Sequence, residues 1–237
     1  MYKKILAVLM VIFSFSVFAK DKLKIGVTLQ PYYSFAVNIV KDKAEVIPVV
    51  RLDKYDSHSY QPKPEDIKRM NELDVLVVNG IGHDEFIYGI VRSARMGGKI
   101  KIINANKGVS LMPVSGMRTK TRVMNPHSFI SITSSIQQIY TIARELGQID
   151  PANKAYYNKN AQAYAQKLRN MKADAITKVN HLKNLNMRVA TSHAGYDYLL
   201  SEFGLRVRAV IEPAHGVEPS ASDIKAIIDT IKRDKID

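Results

Sequence analysis

Six histidines and no cysteine set the chemistry open to this chain. Without thiolates, any metal must be held by imidazoles and carboxylates, and no disulfide can form. Three histidines share a setting. His58 in DSHSYQP, His127 in NPHSF and His193 in TSHAGY each lie just after a predicted strand or just before a predicted helix, in polar loops marked by glycine or proline. Three neutral imidazoles, completed by a carboxylate or water, suit Zn²⁺. His127, at a predicted helix N-terminus, would have its protonated form disfavoured by the aligned amide dipoles, leaving a lone pair for metal. No short ligand motif joins the three, so ordinary surface or capping histidines are the competing reading. Of the others, His83 in GIGHDEF sits beside Asp84 and Glu85 and reads as a rim residue or a transient ligand, as does His215 in PAHGVEPS. His181 reads as a solvated helix residue. Tyr60, Asn79 and Glu212 are candidates to orient imidazoles. Tyr32 and Tyr33 read as packing.

The elements that must position these residues form an α/β chain. Predicted strands at 23–29, 46–50, 74–78 and 99–105 alternate with helices opened by Pro31 or carrying Ile90 and Val91, the rhythm of a parallel sheet with helices on both faces. In such a sheet the loops at the carboxyl ends of the strands converge, so residues far apart in sequence can share a site. Residues 106 to 126 read as a long loop near that site. A helix follows from Ser128 to Leu146, with Ile132, Ile136, Ile139 and Ile142 or Ala143 as its apolar side and Gly147 as its stop. Residues 151–182 contain no interior Gly or Pro, and Tyr157, Ala161, Tyr164, Leu168, Met171, Ala175, Val179 and Leu182 recur at helical spacing. This stretch reads as one rigid linking helix. Beyond it, strands at 187–190 and 207–211 and helices at 196–203 and 223–233, the last capped by Ser220, make a second, smaller parallel unit.

The expected organisation is therefore a leader over residues 1–19, an N-terminal α/β metal-binding lobe over 20–150, the linking helix over 151–182 and a partial C-terminal α/β lobe over 183–237. Lys3 and Lys4 before the apolar run Ile5 to Phe18, with small residues ending at Ala19, predict a cleaved signal peptide. With no cysteine available for lipidation, a free periplasmic protein is expected. The formal net charge is +13, but the lysines and arginines are scattered without interleaved aromatics, which argues against nucleic acid.

The segments DSHSYQPKPEDIKRM, VVNGIGHDEF, NPHSF, SHAGYDYLLSEFGL and EPAHGVEPSASDIKAII resemble, in this order, the solute-binding proteins of zinc and manganese ABC importers, over about residues 23 to 233. The resemblance implies two lobes on a rigid linking helix and a monomer that captures a metal and delivers it to a membrane permease. It also implies His58, His127 and His193 as first, second and third metal ligands. Manganese-preferring members tend to carry a carboxylate at the third position, so His193 leans toward Zn²⁺ over Mn²⁺. Two departures stand out. The family pattern includes a final Asp ligand and further second-lobe strands that this chain lacks, so the second lobe reads as incomplete. Residues 106 to 126 also contain no histidine, unlike the metal-gathering loop of some zinc-specific members. Two other readings follow from the residues: a zinc metallohydrolase with water in the open position, or a truncated chain that is non-functional or adhesive.

Overall fold

The computed structural model describes residues 21–51, 57, 59–115, 123–182, 187–212 and 219–236. The leader read over 1–19, His58 and His215 lie outside these residues. No helix among the described residues is long and apolar enough to cross a membrane.

The first sheet is parallel, in the order β2-β1-β3-β4. Its strands are β1 (Leu23–Val27), β2 (Ala44–Pro48), β3 (Val75–Val78) and β4 (Lys101–Asn104). The opening strand is central, flanked by β2 and β3. Strand side chains alternate between faces, and here both faces are covered: Val75 and Val77 join one buried cluster, Leu76 and Val78 the other. Helices α1 (Gln30–Val40), α4 (Ile132–Ile149) and the start of α5 (Lys154–Asn180) cover the first face; α2 (Pro64–Met70) and α3 (Phe86–Ser93) cover the second. Prolines preset the first turns of α1 and α2. Ser131 caps α4 by accepting the Ser134 N–H at 3.0 Å.

Gly147 does not stop α4, which continues to Ile149. A Cβ on Gly147 would stand 2.8 Å from Lys154 Cγ, so the glycine serves the close corner where α4 turns into α5. The buried side of α4 is also shifted from the expected one: Ile139, Ile142, Ala143 and Leu146 are buried, whereas Ile132 and Ile136 are half-buried.

The long helix begins after a single 3-10 turn, Pro151–Asn153, and its 27 residues span roughly 40 Å. Only its first half belongs to a core. Tyr157 and Ala161 are buried, and Asn160 Nδ2 donates to the Ile39 carbonyl at 2.9 Å, tying α5 to α1. Further along the same stripe Met171 and Leu182 are more than half exposed.

The second sheet pairs β5 (Arg188–His193) with β6 (Arg206–Glu212) in parallel, with a register shift between Val189 and Ala190. Helices α6 (Asp197–Glu202) and α7 (Ala221–Asp234) accompany it. Ser220 caps α7 in a reciprocal box with Asp223, as the sequence predicts. Strand β5 runs three residues further than its apolar pattern predicts, so His193 is its last residue, paired with Glu212, and is not part of a loop.

Candidate functional site

The carboxyl end of β5 meets the first lobe at a polar seam. The stretch expected as a long loop supplies it: Pro113 and Met124 form an antiparallel bridge, and Asn125 N–H donates to the Met112 carbonyl at 2.8 Å. From the second lobe, Tyr198 Oη accepts from Met112 N–H and donates to the Asn125 carbonyl, both at 2.9 Å. Glu202 accepts from Ser131 Oγ at 2.6 Å and from Thr133 N–H at 2.7 Å, at the start of α4. Burial alone would push the Glu202 carboxyl up, but these hydrogen bonds and the charge of Lys172 outweigh it and hold the group below the ordinary glutamate range.

Two of the predicted histidines meet at this seam. The Nε2 atoms of His127 and His193 are 3.1 Å apart, with ring planes at 83°. Hydrogen bonds orient both rings. Asn125 Nδ2 donates to the Ala194 carbonyl at 2.5 Å and to Asp197 at 2.9 Å, so its Oδ1 is the atom that accepts His127 N–H at 3.0 Å and Nδ1–H at 2.8 Å. His193 Nδ1 faces the Glu212 carbonyl at 3.3 Å. A ring that carries its proton at Nδ1, toward such an oxygen, presents a lone pair at Nε2. Two Nε2 atoms at this spacing can share a proton or a metal cation between them. Nitrogens bound to a tetrahedral zinc at about 2.05 Å stand roughly 3.3 Å apart, close to the spacing found here.

His127 precedes the 3-10 turn Ser128–Ile130, and α4 begins only after Ser131. The helix dipole expected to act on His127 is therefore not aimed at it, and Asn125 orients the ring instead. Asn125 carries a sequence signal for this role: an Asn side chain readily bonds the backbone two residues on, and Asn-Pro marks such a turn. Gly195 leaves room beside the pair, since a Cβ there would lie 3.4 Å from His193 Cδ2 and 3.9 Å from His127 Cδ2.

The remaining candidates divide. Asn79 is buried and acts through the backbone, with Nδ2 donating to the carbonyls of Gly82 at 2.6 Å and Pro126 at 3.0 Å. Its Oδ1 accepts from Asn106 and from Tyr32, so Tyr32 belongs to the network as well as to the core. Glu212 faces His193 Nδ1 with its main-chain oxygen. Tyr60 bonds Asp66 at 2.6 Å and packs on Phe86, a core role. His83 lies with its ring centroid 4.9 Å from that of His127. Among the described residues no three His, Asp or Glu side chains form a group that could hold a metal ion. Asp84, beside His83, is buried and accepts from Thr28 Oγ1 at 2.6 Å and Asn79 N–H at 2.7 Å; burial pushes its carboxyl up.

A family model described as zinc-uptake complex component A, periplasmic, matches residues 25–237. The high-affinity zinc uptake system protein ZnuA of Bacillus subtilis is 28% identical over 213 residues, 86% of this chain and 66% of its own length. The manganese ABC transporter substrate-binding lipoprotein PsaA of Streptococcus pneumoniae is 27% identical over 92% of this chain and 71% of its own. Among solved structures, the solute-binding protein FpvC of P. aeruginosa in complex with Ni²⁺ is 50% identical, with a TM-score of 0.82 over 91% of this chain and 76% of that one. The chain thus spans about two thirds of the length of the Bacillus relative.

Proposed function

This chain belongs to the periplasmic zinc-uptake complex component A family, and from that premise we propose that it captures a divalent transition metal between its two lobes and delivers it to an ABC-type membrane importer. Zinc is the proposed cargo, held by His58, His127 and His193. The observation that carries this reading is the pair of Nε2 atoms at 3.1 Å, one from each lobe, each with its Nδ1 engaged by an oxygen. The outer hydrogen bonds of Asn125 and Glu212 serve capture by fixing both rings before the ion arrives. The protein acts as a periplasmic monomer and a solute carrier rather than a hydrolase, with residues 20–150 and 183–237 as the capturing lobes and 151–182 as their link.

The metals named for the relatives are zinc, manganese and nickel. A set of imidazoles without a second carboxylate ranks Mn²⁺ weakest of the three. Competition with a chromogenic chelator tests both parts. His127→Ala and His193→Ala are expected to weaken Zn²⁺ binding by more than about a hundredfold, and His58→Ala to weaken it comparably. Unchanged affinity in all three variants overturns the capture site. Tighter binding of Mn²⁺ than of Zn²⁺ overturns the choice of cargo.

A further inference from the structure

We propose that His83 is a positioning residue of the metal centre, holding the chain at Ser57 against the His127 ring; this deepens the metal-capture reading and rests on it. Three observations converge. First, the turn after β3 has positive φ at Gly80 (73°), Gly82 (110°) and His83 (80°). Glycine adopts such angles readily, whereas histidine does so at a conformational cost. Second, this costly position is held from several sides: Asn79 Nδ2 donates to Gly82 O and Pro126 O, and the neighbouring Asp84 accepts from Thr28 and Asn79. Strain maintained by its surroundings points toward function at that residue.

Third, the side chain so presented touches both Ser57 and His127. Nδ1 of His83 lies 2.8 Å from Ser57 Oγ, and Ser57 directly precedes His58 in the chain. The ring packs edge-to-face on His127, centroids 4.9 Å apart at 71°, and on Phe129 at 5.3 Å and 61°. His83 therefore links the β2–α2 connection to the ring that presents its Nε2 to the second lobe. It acts on geometry and is not itself counted as a ligand.

Four variants of the exported chain test this: His83→Gly, His83→Asn, Ser57→Ala and the His83→Gly/Ser57→Ala double variant, with His127→Ala as the reference for the capture reading. The readouts are Zn²⁺ affinity by chelator competition, the visible absorption of the Co²⁺-loaded protein and the melting temperature without metal. His83→Gly is expected to weaken Zn²⁺ binding about tenfold to a hundredfold and to shift the Co²⁺ bands, while the metal-free melting temperature holds or rises because glycine suits the angle. Ser57→Ala weakens binding in the same direction, and the double variant is less than additive because both changes break one contact. His83→Asn, which tolerates the left-handed region and can still bond a hydroxyl, recovers part of the affinity. Wild-type affinity in His83→Gly beside a large loss in His127→Ala overturns the positioning role and leaves capture intact. A fall in melting temperature for His83→Gly with Ser57→Ala unchanged in affinity, or strict additivity, also overturns it. If His127→Ala itself binds normally, the capture reading has failed first.

Discussion

Each lobe contributes one imidazole to the facing pair, but the two lobes support them differently. In the first lobe, helices cover both faces of a sheet whose strand β3 is wholly buried, and His127, 5% exposed, is fixed by a fully buried Asn125. In the second, α7 buries no residue, and Met187, Ile211, Ile224 and Ile228 are each more than 40% exposed. His193, in this less buried setting, faces the Glu212 main-chain carbonyl. What orders the second half of the site is therefore the seam more than the second core. Asn125, Tyr198 and Glu202 fasten α6 and the β5 exit to the first lobe, so the better-packed lobe serves as the template on which the weaker one is set. Metal between two such halves would add a further fastening across the seam and raise the stability of the folded chain by mass action.

This contrast predicts a graded set of effects. The largest is in the first core: Leu146→Ala, at a fully buried position, should cost about 2–5 kcal/mol in urea unfolding of the metal-free protein. Next, Asn125→Ala strips partners from His127 N–H, the Ala194 carbonyl and Asp197 together, with a net cost of about 1–3 kcal/mol once water reaches the opened seam. It should also weaken Zn²⁺ binding about tenfold to a hundredfold, and calorimetric titration with intact affinity would break the template idea. Smaller again is Glu202→Gln, expected to cost about 1 kcal/mol through the lost charge at the α4 N-terminus.

Because the Glu202 carboxyl is held below its ordinary range, its contribution is present above the unfolded-state value, about 4.3, and is lost as pH falls through the lower folded-state value. Wild-type melting temperatures should therefore fall more steeply with acid than those of Glu202→Gln, and parallel curves would remove Glu202 from the seam. The smallest effect is in α7, where Ile228→Ala, at a position 43% exposed, should stay within about 0.5 kcal/mol. A cost matching that of Leu146→Ala would mean that the second lobe has a core of its own and that the contrast is false.

The residues by themselves determined the parallel order of elements, the linking helix and the choice of His127 and His193. Each of these rests on local periodicity, on turn-forming residues or on the family pattern of five separated segments. Tertiary structure decided the rest. Gly147 looked like a helix stop because glycine often is one, and only the approach of Lys154 reveals a packing corner. His193 looked like a loop residue because strand pairing through polar Thr191 and Ser192 leaves no apolar alternation to read. The role of Asn125 depends on Ala194 and Asp197, 69 and 72 residues away, a separation that no periodicity spans. The pairing of His127 with His193, 66 residues apart, is likewise set by where the chain brings acceptor oxygens. Sequence states which donors exist, while their directions come from contacts between segments that are neighbours only after folding.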